Sequence, residues 1–247
     1  MLRVRGLSLR YPNDKLALSD FALTVEAGEL VIVLGGNGSG KSTLLKCITR
    51  TLKPNAGEIW LGDTNLCVLE GEKLRRARLE LAMIWQQASL VRRSSVLTNV
   101  ATGALGRHST LRTVFGGLPQ SELAAARGYL GDVGLADLAA QRAGTLSGGQ
   151  AQRVAIARSL AQRPRVLLAD EPVASLDPEA SEDIMRLLQR LARSERLAVL
   201  CVLHQVELAY SYADRVIGIR DGRIAFDLPR GEVSRDAVRR LYISEAA

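Results

Sequence analysis

The sequence predicts an α/β fold in three parts: a parallel-sheet core of the P-loop type, an antiparallel β region at the N-terminus and an inserted helical subdomain. Near-continuous apolar runs carry the first part: LVIVL (30–34), LAMIW (81–85), VLLA (166–169) and LAVLCVL (197–203). Strands covered on both faces of a parallel sheet read this way, and each run ends on a glycine or a polar group. Before them the chain alternates apolar and polar residues. Between the second and third runs, residues 87–163 carry a helical pattern.

In chain order, Leu7, Leu9 and Tyr11 alternate with polar neighbours, as do Phe21, Leu23 and Val25. Asn13-Asp14-Lys15 lies between the two series, so they read as an antiparallel strand pair. The run 30–34 enters Gly35 and the glycine-rich GGNGSGKS (35–42), followed by the helical TLLKCITR. The run 81–85 enters Gln86. The helical region contains turns at GRHST and FGGLP, and LSGGQ (146–150) opens a helix that continues as AQRVAIARSL. The run 166–169 enters Asp170-Glu171-Pro172, and the run 197–203 enters His204. Asp221-Gly222 begins a turn, RIAF follows as a short strand, and an amphipathic helix ends the chain. These readings predict one domain over 1–247, its core from 1–86 and 164–247 and its helical subdomain from 87–163. In open parallel sheets ligands bind beyond the carboxyl ends of the strands, and four such ends converge here.

The chain has 247 residues, 47% of them hydrophobic, enough to bury a large core. No apolar run approaches the ~18 residues that suggest a membrane-spanning helix. The N-terminal MLRVRGLSLR alternates instead of forming the apolar block of a secretory signal, so the chain is expected to stay in the cytosol. Cys47, Cys67 and Cys201 are far apart and form no CxxC pair, which argues against zinc and structural disulfides. Cys47 and Cys201 read as small core residues. A net charge of +7 permits nucleotide, anionic lipid or nucleic acid. The arginines are scattered and only 4% of residues are aromatic, poor material for stacking on single-stranded nucleic acid, which is not expected as a partner.

GGNGSGKS fits GxxxxGK[ST] between a strand and a helix, the context the motif needs. Gly35, Gly36, Asn37, Gly38, Ser39 and Gly40 would let backbone N–H groups approach phosphates. Lys41 reaches the β- and γ-phosphates, Ser42 offers its hydroxyl to Mg²⁺, and Thr43 can add a phosphate hydrogen bond. Asp170 at the end of an apolar strand fits a carboxylate that holds the Mg²⁺ shell. Glu171 beside it can polarise a water for in-line attack on the γ-phosphate. Ser147, Gly148, Gly149 and Gln150 open a helix whose N–H groups and dipole suit a second anion. Gln86 and His204 stand at strand ends; Gln87 competes with Gln86 for the same role. Tyr11 can stack on adenine or serve as a half-buried strand aromatic.

Taken in order, the P-loop, a Gln after a strand, LSGGQ, a strand with Asp-Glu, Ser175-Leu176-Asp177 and His204 resemble the nucleotide-binding subunit of an ATP-binding cassette (ABC) transporter over nearly the whole chain. That resemblance implies ATP and Mg²⁺ as ligands and hydrolysis as the activity. It implies a head-to-tail homodimer in which each LSGGQ faces the nucleotide bound by its partner copy. It makes Tyr11 the adenine-stacking aromatic, Gln86 a sensor of the γ-phosphate and a Mg²⁺ ligand with Ser42 and Asp170, Asp177 a residue at the dimer axis, and His204 a γ-phosphate switch. Gly36 departs from the Pro or Ser common there, and Trp85 from the more common Phe. MIWQQASLVRRSSVLTNVATGALG, LADEPVASLDP and LHQVELAYSYADRVIGIRDGRIAFD further resemble importers of phosphonates and related phosphorus oxyanions. That implies integral membrane permease subunits as direct partners, a substrate-binding protein as an indirect one, and a peripheral place on the cytoplasmic face of the inner membrane. Two alternatives are a soluble ABC ATPase without transport and a P-loop kinase. The first usually carries a long coiled-coil insertion, tandem cassettes or a partner-binding insertion; the second needs neither LSGGQ nor His204.

Overall fold

The computed structural model describes residues 1–109, 113 and 117–242. The last residue of GRHST, Thr110, and the first two of FGGLP lie outside the described residues. Two sheets form the body. The smaller has four strands in the order β2-β1-β4-β5: β1 (Leu2–Arg10), β2 (Leu16–Val25), β4 (Ala56–Leu61) and β5 (Thr64–Asn65), all antiparallel. The alternation in β1 and β2 pairs as expected, with Leu7 opposite Phe21 and Leu9 opposite Leu18. β4 and β5 were not expected from the sequence, since AGEIWL is short and opens with Ala-Gly; pairing with β1 makes it a strand.

The larger sheet has six strands in the order β10-β9-β3-β8-β7-β6. β3 (Leu30–Leu34), β6 (Leu81–Ile84), β7 (Val166–Asp170), β8 (Ala198–Val202) and β9 (Arg215–Arg220) run parallel, and β10 (Arg223–Pro229) returns antiparallel. The four apolar runs are therefore adjacent strands with their carboxyl ends on one edge. Successive residues feed opposite cores. Leu30, Ile32 and Leu34 pack with the helices, while Val31 and Val33 face the antiparallel sheet and the helix after the P-loop. This double burial is the reason the strands read as unbroken apolar runs.

Several strand limits differ from expectation: β1 stops at Arg10 and leaves Tyr11 outside it, and β8 spans Ala198–Val202 within the run 197–203. β6 stops at Ile84, leaving Trp85 outside the sheet and 44% exposed. The last strand runs on to Pro229, because residues 224–229 find partners along β9. Within 87–163 the described helices are Val96–Ala101, Gln120–Asp132 and Gly148–Ala161, with short 3₁₀ turns between them. The helix Pro178–Ser194 packs Ile184, Leu188 and Leu191 into the same core as Leu30 and Ile32. A final helix, Arg235–Tyr242, closes the described chain. Among the described residues no helix is long and apolar enough to cross a membrane, and all three cysteines are free.

Candidate nucleotide site

The chain turns out of β3 at Gly35 because nothing larger fits: a Cβ there would lie 2.4 Å from the Ile219 carbonyl oxygen and 2.7 Å from Ser39 Oγ. Gly40 is also required, since its φ of +110° is left-handed and a Cβ would meet the Ala17 carbonyl at 2.6 Å. Between these fixed points the loop arches over the start of the helix Lys41–Ile48. Lys41 is 5% exposed, and its ammonium donates to the Gly35 and Gly36 carbonyls at 2.7 and 2.9 Å. Burial lowers the Lys41 pKa, against the pull of Glu171 and Asp170.

Backbone bonds across the sheet edge bring the catalytic candidates to this loop. Asp170 is opposite Val202 in register, Glu171 N–H donates to the Val202 carbonyl at 3.0 Å, and Leu203 N–H donates to the Val33 carbonyl at 3.1 Å. The turns after β7 and β8 thereby meet the end of β3. Ser42 Oγ donates to Asp170 Oδ1 at 3.4 Å. Burial, and then the neighbouring Glu171 charge, raises the Asp170 pKa. Glu171 adopts a φ of +50°, uncommon outside glycine, and its Oε1 lies 2.6 Å from His204 Nε2. This contact orients the carboxylate.

One cavity of about 310 Å³ is lined by Tyr11, Lys15, Ala17, residues 37–43, Glu171 and His204, and Asp170 lies outside this lining, bonded to Ser42. Tyr11 is fixed at its rim by a 3.0 Å hydrogen bond between its hydroxyl and Thr43 Oγ1. Ser39 Oγ is buried without a partner. An orphaned hydroxyl, a buried ammonium and a loop that tolerates no Cβ at Gly35 or Gly40 together fit a phosphate chain. For Mg²⁺ the protein offers Ser42 Oγ and the Asp170 carboxylate; hard oxygen donors suit it, with water and phosphate oxygens completing the shell. No cluster of three or more His, Cys, Asp or Glu side chains that could hold a metal occurs among the described residues.

Gln86 does not join them. It is exposed in the turn after β6 and outside the cavity lining. Its loop is instead held by the helix Gly148–Ala161: the Gln152 amide donates to the Trp85 carbonyl at 3.1 Å, and Arg158 donates to the carbonyls of Ala88 and Ser89 at 2.7 and 3.0 Å. Sequence reading missed Gln152 and Arg158. Their signal is a polar side chain on a helix's buried face, since Gln152 is only 3% exposed.

LSGGQ also lies outside the cavity. Ser147 caps its helix: Ser147 Oγ accepts from Gln150 N–H at 3.3 Å, and Gln150 Oε1 accepts from Ser147 N–H at 3.0 Å. A Cβ on Gly148 would come 3.1 Å from Leu176 Cδ2, and one on Gly149 would come 3.2 Å from Ala180 Cβ. Asp177, which caps the helix Pro178–Ser194 through Ala180 N–H at 2.8 Å, is therefore next to LSGGQ. The exposed Ser147, Gly148 and Asp177 form a second surface, separate from the Lys41 cavity. Gly36, meanwhile, faces the final helix, where its added Cβ would lie 3.4 Å from the Leu241 carbonyl oxygen.

A glycine-cradled lysine, a strand-end Asp-Glu pair and a histidine on a parallel sheet define a P-loop nucleotide hydrolase. The ABC transporter family model matches residues 18–174, and the chain belongs to that family. It is 44% identical over 245 residues to the phosphonates import ATP-binding protein PhnC of Wolinella succinogenes, covering 99% of this chain and 89% of the relative. It is 47% identical over 242 residues to the protein of that name from Frankia casuarinae, covering 98% and 95%. Among solved structures, cbiO1 of Clostridium perfringens, part of an ABC transporter complex, superposes with a TM-score of 0.84 at 30% identity, covering 97% of this chain and 92% of that one. A dimeric ATP-binding cassette in a post-hydrolysis state bound to ADP and Pi superposes with a TM-score of 0.79 at 30% identity, covering 93% and 99%.

Proposed function

We propose that this ABC ATPase powers an importer of phosphonates or a related phosphorus oxyanion, with the residues of the Lys41 cavity as its nucleotide site. The carrying observation is the cavity itself, where Lys41, Ser42, Glu171 and His204 come together from separate elements with Asp170 bonded to Ser42 behind them, combined with near full-length likeness to phosphonate import ATP-binding proteins. Residues 1–86 and 164–247 form the nucleotide-binding core and 87–163 the helical subdomain.

The chain's own groups divide the work. Backbone N–H groups of residues 36–42 and the Lys41 ammonium bind the phosphates, Ser39 Oγ gains the partner it lacks, and Tyr11 stacks on the base. Ser42 and Asp170 would hold Mg²⁺, which would supply charge neutralisation for the phosphate oxygens. Glu171, held by His204, accepts a proton from the attacking water. Gln86, exposed in the turn after β6, serves as the γ-phosphate sensor. Ser147, Gly148, Gly149, Gln150 and Asp177 present their surface to the nucleotide of a second copy. An isologous dimer gives each cavity both halves, because every subunit carries one of each. The dimer sits beneath membrane permease subunits at the cytoplasmic face, and a substrate-binding protein acts through the permease.

ATP-driven uptake of labelled alkylphosphonate by vesicles carrying the subunit, its permease and the binding protein tests the cargo. Uptake confined to sugars, amino acids or metals would remove the phosphonate reading and leave the ATPase intact.

A further inference from the structure

The turn between β1 and β2 places a cation at the cavity that the roles above leave unused. Lys15 lines the cavity beside Tyr11 and Ala17. Backbone bonds brace it there: Tyr11 N–H donates to the Lys15 carbonyl at 2.9 Å, Asp14 N–H to the Tyr11 carbonyl at 2.9 Å, and Lys15 N–H to Asn13 Oδ1 at 3.3 Å. The adjacent acid does not neutralise it, since Asp14 pairs with Arg10 at 3.2 Å. Among the described residues the Lys15 ammonium makes no ion pair and no hydrogen bond. An exposed, unpaired lysine is ordinary; one braced at the mouth of a phosphate-shaped cavity is not.

Position within the cavity selects the ligand atom. Lys41 and Ser42 serve the β- and γ-phosphates at the loop. Tyr11 marks the base end, and its hydroxyl bonds to Thr43, one residue beyond Ser42. Lys15 is bonded to Tyr11 through the backbone, so its side chain starts from the base end of the cavity it lines. The phosphate nearest that end is the one attached to the ribose.

We propose that Lys15 binds the ribose-linked α-phosphate of the nucleotide, acting as a second phosphate-binding lysine alongside Lys41. The proposal rests on the nucleotide assignment of this cavity. A single exposed charge-assisted contact present equally in ground and transition states shifts affinity without touching the chemical step.

Displacement of a fluorescent ADP analogue gives the affinities of adenosine, AMP, ADP and ATP for the wild type, Lys15→Ala, Lys15→Arg and Lys41→Ala. Lys15→Ala should weaken AMP, ADP and ATP by a common factor of about three to ten, the scale of one partly screened charged contact. Adenosine should bind unchanged, and Lys15→Arg should retain most of the affinity. In steady-state hydrolysis Lys15→Ala should raise KM and leave kcat unaltered. Unchanged nucleotide affinities in Lys15→Ala, with ATP binding lost in Lys41→Ala, would overturn the Lys15 role while sparing the cavity. A loss confined to ATP would overturn the α-phosphate assignment. If Lys41→Ala also left ATP affinity intact, the cavity would not be the nucleotide site and both readings would fall.

Discussion

Asp170 ends a strand buried on both faces, and its pKa is raised by that burial and by Glu171. For an acid, a raised folded-state pKa means that ionisation opposes folding. The stability it contributes is full below the unfolded value of about 4 and is lost as pH rises through the folded value. Asp170→Asn removes the cost of the buried charge. At pH 8 and without nucleotide, its unfolding midpoint should exceed that of the wild type, and the gap should shrink toward pH 4. Mg²⁺ with ADP should raise the wild-type midpoint more than the variant's, since the variant lacks one of the two side chains proposed to hold Mg²⁺. Thermal unfolding across pH reads both effects; a wild type as stable as the variant at pH 8 would contradict the burial argument. Glu171→Gln makes a different point. The amide keeps the shape and the contact to His204 but takes no proton, so ATP affinity should stay near normal while turnover falls by at least ~10²-fold. Near-normal turnover would remove Glu171 from the catalytic role.

At the scale of elements, the helix Gly148–Ala161 both begins at LSGGQ and grips the loop of Gln86 through Gln152 and Arg158. Its start has a local job, the reciprocal cap between Ser147 and Gln150. A large substitution at Ser147 would therefore mix loss of the cap, about 1 kcal/mol, with loss of any contact beyond the chain. Ser147→Asp separates the two, because Asp is an equally good cap but sets a carboxylate where a partner's γ-phosphate would dock. We expect an unfolding midpoint close to the wild type, unchanged ATP affinity of the monomer, and loss of ATP-dependent dimerisation by light scattering. ATP-driven dimers at wild-type level in Ser147→Asp would show that this surface does not meet phosphate. The sequence marked this helix start clearly, since LSGGQ is local. It did not point to Gln152 and Arg158 as the residues that grip the Gln86 loop, because those bonds join residues about seventy positions apart.

At the scale of the molecule, the two surfaces proposed to bind phosphate do not meet within one chain. The Lys41 cavity and the exposed Ser147–Asp177 face share no lining residue. If each face serves the cavity of a second copy, lesions should complement. Mixing Ser147→Asp subunits with Lys41→Ala subunits puts both lesions into one composite site and leaves the other site whole. ATP hydrolysis should therefore reappear in the mixture and peak near equal proportions, while each variant alone stays inactive. If Ser147 acted on its own subunit's nucleotide, every site in the mixture would carry a lesion and no activity would return.

The sequence by itself determined the parallel core, the P-loop and its helix, the Asp170-Glu171 strand end and the capped helix at LSGGQ. Each of these is written in neighbouring residues, as unbroken apolar runs, obligatory glycines or a cap spaced three residues apart. Only the tertiary structure decided that β4 and β5 extend the N-terminal sheet, that β6 stops before Trp85 and leaves Gln86 away from the Lys41 cavity, that His204 meets Glu171, and that Lys15 lines that cavity. The physical reason is common to all of them. A strand as short as β5, the end of a strand or a contact across a sheet edge is fixed by which distant backbone supplies its hydrogen-bond partner, and no local pattern of residues encodes that choice.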